Sequence, residues 1–379
     1  MRTALVALVL VSGCGSTAPQ PPPSGEISSD RPRTGPSAGL PPTAPSSSAG
    51  LSSAEPSSAE PSIALPTSTQ PSDETLTAEQ LAGRVTEPGA FVHLEALQRI
   101  ADENGGNRAA RSPGYEASVE YVTGVLRADG YDVSTPTYAI SDDDDDDQTL
   151  RNVIAQTRSG DPDVIVMIGA HLDSVESGPG IVDDGSGVAA LLEIAHQLGA
   201  SASVRNAVRF AFFGSEENGA LGSRGYLDGL SMDDRRKIIL YVNVDMVASL
   251  NAGYFVQGGR GDEESESGPP GSAAVARVLT DQLTATGVTP EMIEFVGDDE
   301  APFVEAGIPV AGAENGDRKE KTAEQAQAWG GQAGEVYDPC YHLACDRLDN
   351  VNRDVLDHYL RALGGTVAHF ANSSQMPTG

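Results

Sequence analysis

His171 and Asp173 directly follow the apolar run Val164 to Ala170. Glu216 and Glu217 follow a second run, Ala207 to Phe213, after Gly214 and Ser215, and Asp245 closes a third, Ile238 to Val244. The loop GPGIVDDGSG at 178–187 adds Asp183 and Asp184 just before a helical pattern, and the late segment CYHLACD at 340–346 adds His342. Imidazole nitrogen mixed with carboxylate oxygen suits zinc. Several carboxylates with two histidines suit two zinc ions that share a bridging carboxylate, at the ~3.5–4 Å spacing of two-metal sites. Singly, each piece has a plainer reading. A lone His at a strand end is commonly a packed or surface residue, a Glu-Glu pair is commonly solvated, and Asp-Asp-Gly is commonly a turn. Five such groups on successive strand ends of one sheet are much harder to dismiss together.

Those ends converge only if the runs are neighbouring strands. The first run is a continuous apolar stretch, as in a strand buried on both faces. Between the first two lies a helix from about Ser186 to Leu198, with Val188, Leu191, Leu192, Ala195 and Leu198 on its apolar face and Gly199 as its stop. A second helical stretch falls near 219–237. This alternation predicts an α/β single domain, a mostly parallel central sheet flanked by helices on both faces. In such open sheets the binding crevice lies outside the carboxyl ends of the strands. Upstream, 89–130 carries helical patterns, with a break at 109–115, a helix from about 116 to Ala128, and Gly130 just beyond its end. Six consecutive aspartates, Asp142 to Asp147, read as a solvated loop, with a calcium site as the rival reading. Cys340 and Cys345 suggest a disulfide in an exported chain. A metal site using both thiols is the alternative.

The strings GAHLDSVESGPGIVDDGSG, FFGSEENGALGS, YVNVDM and CYHLACD, with GGNRAARSPGYEASVEYV at 105–122, resemble the secreted double-zinc aminopeptidases of metallopeptidase family twenty-eight (clan MH), actinobacterial type. The resemblance covers about residues 90–370. It implies a phosphorylase/hydrolase-like fold and two Zn²⁺ per chain. His171 and Asp245 would bind one ion, Glu217 and His342 the other, and Asp183 would bridge them. Glu216 would be the general base of a two-zinc, bridging-water hydrolysis of the N-terminal peptide bond. Asp173 would orient the His171 ring, and the Tyr341 hydroxyl would stabilise the oxyanion. A Cys340–Cys345 disulfide would pin Tyr341 and His342. Substrates would be peptides or proteins with a free N-terminus, and the enzyme would act as a monomer.

Three positions depart from the family pattern. Val182 stands where Asn is usual. Gly297 and Glu300 stand where an Arg and a His or Tyr are usual, and Glu314 replaces an aromatic residue of the specificity pocket. Glu300 and Glu314 either favour Lys or Arg side chains electrostatically or face solvent. A calcium site of some relatives keeps Asp357 but has Arg361 where a second Asp would stand. Two other functions compete: a single-zinc glutaminyl cyclase of the same fold, which needs fewer ligands, and a non-catalytic surface module. Such modules usually lose ligands or the base, and here every one is present. His93, His196, His358 and His369 read as structural or surface residues, and Arg224 has no assigned role.

The start of the chain is an address. TALVALVLV at 3–11, behind Arg2, is too short to span a bilayer and fits a signal-peptide core. Val11 to Cys14 resembles a lipobox, which makes 1–13 a lipoprotein-type signal peptide and Cys14 the lipid anchor. An ordinary cleaved signal is the alternative. Residues 14–78 form a disordered Pro/Ser/Ala-rich tether or a glycosylated stalk, and 79–379 the enzyme domain. The 379 residues carry 24 Lys+Arg against 55 Asp+Glu, a net charge of −31. That balance excludes a nucleic-acid partner, whose phosphates need basic surface. Of the 25 Pro, 13 lie in residues 1–75, and the first aromatic residue is Phe91, so tail and body divide sharply. The expected location is extracellular, lipid-anchored to the outer face of a bacterial cell membrane.

Overall fold

A computed structural model describes residues 75–140, 148–258, 268–375 and 377. The expected signal peptide, Cys14, the expected tether up to residue 74 and the aspartate run at 142–147 lie outside the described residues. Helices α1 (Ala78–Arg84), α2 (Glu87–Glu103) and α3 (Pro113–Ala128) lead into strands β1 (Asp132–Ser134), β2 (Thr137–Ile140), β3 (Gln148–Arg151), β4 (Val153–Gln156) and β5 (Asp161–His171). There follow α4 (Gly185–Leu198), β6 (Asn206–Phe213), α5 (Leu221–Gly229), α6 (Met232–Lys237), β7 (Ile238–Val244) and β8 (Phe255–Gln257). The chain ends with α7 (Ser272–Ala285), β9 (Glu291–Ile293), α8 (Ala301–Glu305), β10 (Val310–Glu314), α9 (Ala323–Trp329) and α10 (Arg353–Asn372).

Eight strands form one sheet in the order β1-β4-β6-β5-β7-β10-β8-β9, and β2 pairs with β3 in a separate ribbon. The central four, β6, β5, β7 and β10, are parallel, while β4 and β8 run antiparallel to their inner neighbours. The mostly parallel α/β sheet expected from the sequence is therefore present. β6 lies on one side of β5 and β7 on the other, so the chain reverses its travel across the sheet. Such a switch point opens a crevice at the strands' carboxyl ends.

Strand alternation splits β5 between two layers. Val166, Ile168 and Ala170 pack with Val188, Leu191 and Leu192 of α4 on one face, and Ile165 and Met167 pack with Tyr226, Leu227 and Phe303 on the other. Gly169 makes one of these contacts possible. A Cβ there would lie 2.6 Å from the Tyr241 hydroxyl. With that space free, Tyr241 stacks on Phe303, ring centroids 3.9 Å apart and planes 11° apart, and anchors α8.

Three boundaries differ from the sequence reading. α3 begins at Pro113 rather than near 116, because the Ser112 hydroxyl accepts the Tyr115 N–H and Pro at the first turn needs no donor. The helical stretch at 219–237 is two helices, the second capped by Ser231. The fold also takes in Leu76, which is buried, and Thr77, which caps α1, just ahead of residue 79. No helix among the described residues is long and apolar enough to cross a membrane.

Candidate active site

The carboxyl ends of β5, β6 and β7, with the loops after β5 and before α10, bring the predicted ligands together. His171 Nε2 lies 3.1 Å from Asp183 Oδ1 and 3.6 Å from Asp245 Oδ1. His342 Nε2 lies 3.2 Å from Asp183 Oδ2 and 3.1 Å from Glu217 Oε2. Asp183 thus presents one oxygen to each imidazole. The other nitrogen of His171, Nδ1, sits 3.6 Å from Asp173 Oδ1 and 3.1 Å from the Asp173 carbonyl. With its proton on Nδ1, a neutral His171 turns a lone pair at two carboxylates, an arrangement that calls for a cation between them. Glu217 Oε1 is likewise buried with no hydrogen-bond partner. These donors fit two metal ions.

Asp184 also lies within ligand distance of His171 and Asp245. Its carboxylate, however, accepts the backbone N–H groups of Gly187 (2.9 Å), Met246 (3.0 Å) and His171 (3.3 Å). It caps α4 and ties the ends of β5 and β7 to it, which leaves Asp183 as the carboxylate open to both imidazoles. The peptide bond between the two aspartates is cis.

Two further residues hold this loop, and the sequence reading assigned neither a role. Asp346 accepts the N–H of Val182 at 2.8 Å and of Asp183 at 3.1 Å, joining the His342 loop to the loop that carries Asp183. These bonds also answer the departure at Val182. Its side chain is buried, and its N–H is satisfied from Asp346. Arg108 is fully buried and donates to the carbonyls of Leu172, Pro179 and Gly180. Both residues lie inside strings that carry the family resemblance. Backbone strain marks the same place. Ser215, Met246 and His342 hold φ of 58°, 53° and 57° next to or at ligand positions, a region costly for non-glycine residues.

Glu216 lines a cavity of about 240 Å³ with Asp183, Asp245, Tyr341 and His342. Its backbone N–H donates to Asp173 Oδ1 at 3.1 Å. Burial, partly offset by His171 and reinforced by Asp245, Asp299 and Asp173, pushes its carboxyl up to about 9 in the metal-free site. Burial pulls the His171 imidazole down, but Asp245, Asp173 and Asp183 together hold it well above its ordinary value. A site this rich in carboxylate retains positive charge wherever it can. Cys340 and Cys345 are disulfide-bonded, and between them the Tyr341 ring stacks on His342 at 3.8 Å.

The two acids named for the substrate pocket part company. Glu314 lines the cavity. Glu300 does not. It is fully buried, and its Oε1 accepts the Gly297 N–H at 2.7 Å within its own turn, so it neither faces solvent nor reaches the cavity. Asp298 forms the wall there instead. Away from the site, His93 and His196 contact Tyr121 and Asp129, His358 contacts Thr286, and Arg224 pairs with Glu305 at 2.7 Å. Arg361 lies 3.7 Å from Asp357, so the chain's own cation stands beside the acid weighed for calcium.

Comparison with known proteins gives an independent view. The sequence profile of peptidase family M28 matches residues 152–367. Leupeptin-inactivating enzyme 1 of Streptomyces exfoliatus is 40% identical over 76% of this chain and 62% of its own length. The probable lipoprotein aminopeptidase LpqL of Mycobacterium tuberculosis is 32% identical over 74% of this chain and 84% of its own. The chain therefore spans less than two thirds of the first of these relatives. Among solved structures, BSAP, a zinc aminopeptidase from Bacillus subtilis, superposes with a TM-score of 0.61 at 18% identity, covering 76% of this chain and 96% of that one.

Proposed function

The chain belongs to peptidase family M28, and on that premise we propose that it is a two-zinc aminopeptidase. It hydrolyses the N-terminal bond of peptides and proteins that carry a free N-terminus. The observation that carries this reading is Asp183, with one oxygen toward each of two imidazoles and Glu216 beside it in the same cavity. His171 and Asp245 would hold one zinc and Glu217 and His342 the other, with Asp183 available to both. Zinc, when bound, supplies Lewis-acid polarisation and a water that ionises near neutrality. Glu216 takes the proton from the attacking water and returns it to the leaving amine. Asp173 fixes the His171 tautomer through Nδ1 and the place of Glu216 through its backbone N–H. The Tyr341 hydroxyl, in the same cavity, donates to the carbonyl oxygen as charge develops there. Acidic groups around the cavity hold the free α-ammonium, which confines cleavage to the N-terminal residue.

The lipobox-like Cys14 and the lipoprotein named among the relatives support a tethered, extracellular enzyme on the outer face of a bacterial membrane. Mass spectrometry of the mature N-terminus tests the anchor. For the activity, the purified chain is analysed for metal and offered aminoacyl anilides with free and with acetylated amines. Two zinc ions per chain and hydrolysis of the free-amine substrates alone are expected. Two bound zinc ions with no hydrolysis overturn the reading, and cyclisation of N-terminal glutamine replaces it with the cyclase alternative.

A further inference from the structure

The cavity beside Glu216 continues past the metal residues to a wall made by Asp298, Glu314 and Asp317, with Lys319 as the cation that lines it. About 240 Å³ accommodates one side chain of a substrate rather than a length of peptide. Glu314 ends β10 at the same edge of the sheet as Asp245, whose N–H donates to the Ala313 carbonyl at 3.1 Å.

Glu314 is held as a binding group is held. Gln257, fully buried on β8, donates from Nε2 to Glu314 Oε2 at 3.0 Å. Gly312 gives Gln257 its place, since a Cβ at 312 would lie 2.7 Å from Gln257 Oε1. The buried Tyr359 hydroxyl donates to the Glu314 carbonyl and accepts the Phe255 N–H at 2.8 Å. The carboxylate is therefore fixed before a ligand arrives, which lowers the ordering cost of binding. Lys319 is an exposed residue, and its charge acts on Glu314 from the cavity lining. Two zinc dications would offset Asp183, Glu216, Glu217 and Asp245. Asp298, Glu314 and Asp317 remain as the acids beside Lys319, and burial pushes the Glu314 carboxyl up to about 7, so a cationic neighbour there is favoured.

Resting on the aminopeptidase reading above, we propose that Glu314 is a specificity-determining residue that selects peptides with Lys or Arg at the N-terminus. The cationic end of that side chain meets Glu314, with Asp298 and Asp317 adding to the field, and its methylene stem passes Met246 and Val296 on the cavity wall.

The test compares kcat/KM for arginine, lysine and leucine anilides on the zinc-loaded chain, and the binding of arginine amide and leucine amide by calorimetry. The wild type favours the basic substrates by about tenfold or more, one fixed charge-assisted contact. Glu314→Gln preserves the size of the side chain and removes its charge. It lowers the arginine-to-leucine ratio about tenfold in both turnover and binding, with zinc content and melting temperature kept. Asp317→Asn lowers the ratio less. A leucine preference in the wild type, or an unchanged ratio in Glu314→Gln, overturns this proposal and leaves the aminopeptidase reading standing. Hydrolysis of none of the three substrates overturns both.

Discussion

Asp173 Oδ1 accepts the backbone N–H of Glu216 at 3.1 Å, while the same oxygen lies 3.6 Å from His171 Nδ1. One buried carboxylate thus contacts both His171 and the Glu216 backbone, and on the proposed two-zinc reading the two residues it serves separate under mutation. Glu216→Gln removes the proton acceptor alone. Turnover falls by about 10²–10⁴-fold, and zinc content stays near two per chain. Asp173→Asn leaves an oxygen for the Glu216 N–H but removes the charge facing His171. Zinc affinity falls about 10–100-fold, and activity recovers with added zinc. Kinetics paired with metal analysis check both. Substantial activity in Glu216→Gln would falsify the role of the base.

The disulfide offers a second separation. Cys340 and Cys345 close a loop that holds Tyr341 and His342, with His342 in a strained left-handed backbone conformation. A loop this short stabilises the fold by only about 2 kcal/mol in the chain-entropy model. Its larger effect is local, on one ligand and on the cavity wall. Replacing both cysteines by serine is expected to lower unfolding free energy by that small amount, to cost one zinc per chain at limiting metal, and to cut kcat sharply. Unchanged zinc stoichiometry and unchanged kcat would show that Asp346 alone holds the loop.

His171, Glu217 and Asp245 were legible as candidate ligands because each stands at or just after an apolar run long enough to read as a strand, whereas Asp183 and His342 lie in loops and stood out through the strings that resemble the family. The sheet order around β5 then brings those ends to one edge. The supports were not legible, since their bonds join segments far apart in the chain. Arg108 reaches the carbonyls of 172–180, and Asp346 reaches the amides of 182 and 183. Neither contact leaves a pattern in local spacing, although both residues sit within strings that resemble the family. The strands β1 to β4 and β8 to β10 are three to five residues long, too short for periodicity to distinguish from loop. Glu300 shows a finer limit. Backbone N–H groups of its own turn, Gly297 among them, hold it inward, and Asp298 lines the cavity there, a choice that residue type alone does not make.

Arg108 carries its own prediction. Burial pulls its guanidinium down, and the carboxylates of Asp173, Asp346, Asp184 and Asp183 act against that pull from nearby. Its hydrogen bonds all go to backbone carbonyls of the loop that bears Asp173 and Asp183. Arg108→Met leaves those acceptors buried and unpaired, at about 1–3 kcal/mol each. Urea unfolding of the zinc-free chain is expected to show a loss of at least about 3 kcal/mol. Arg108→Lys retains the charge but not the three-way donor geometry, and recovers only part of it. A loss below about 1 kcal/mol in Arg108→Met would mean that water replaces the guanidinium.

His93 sets part of the acid limit of stability. It is 4% exposed on α2 and contacts the Tyr121 hydroxyl through Nδ1 at 2.7 Å. Burial pulls its pKa down to about 4, against a smaller upward push from Asp129 and a downward one from His196. The unfolded chain titrates near 6.5. Between these values the unfolded state binds the proton and the folded state does not, so stability rises with pH across the window. The contribution is fully present above about 6.5 and is lost as pH falls toward 4, below which both states are protonated. At pH 4.5 the loss from this one group amounts to about 2 kcal/mol relative to pH 7. His93→Gln does not titrate. Urea midpoints of the two proteins, measured at pH 7 and at pH 4.5, are therefore expected to converge or cross on acidification as the wild type loses about 2 kcal/mol more than the variant. Parallel losses in the two proteins would assign the acid limit to the carboxylates and remove His93 from it.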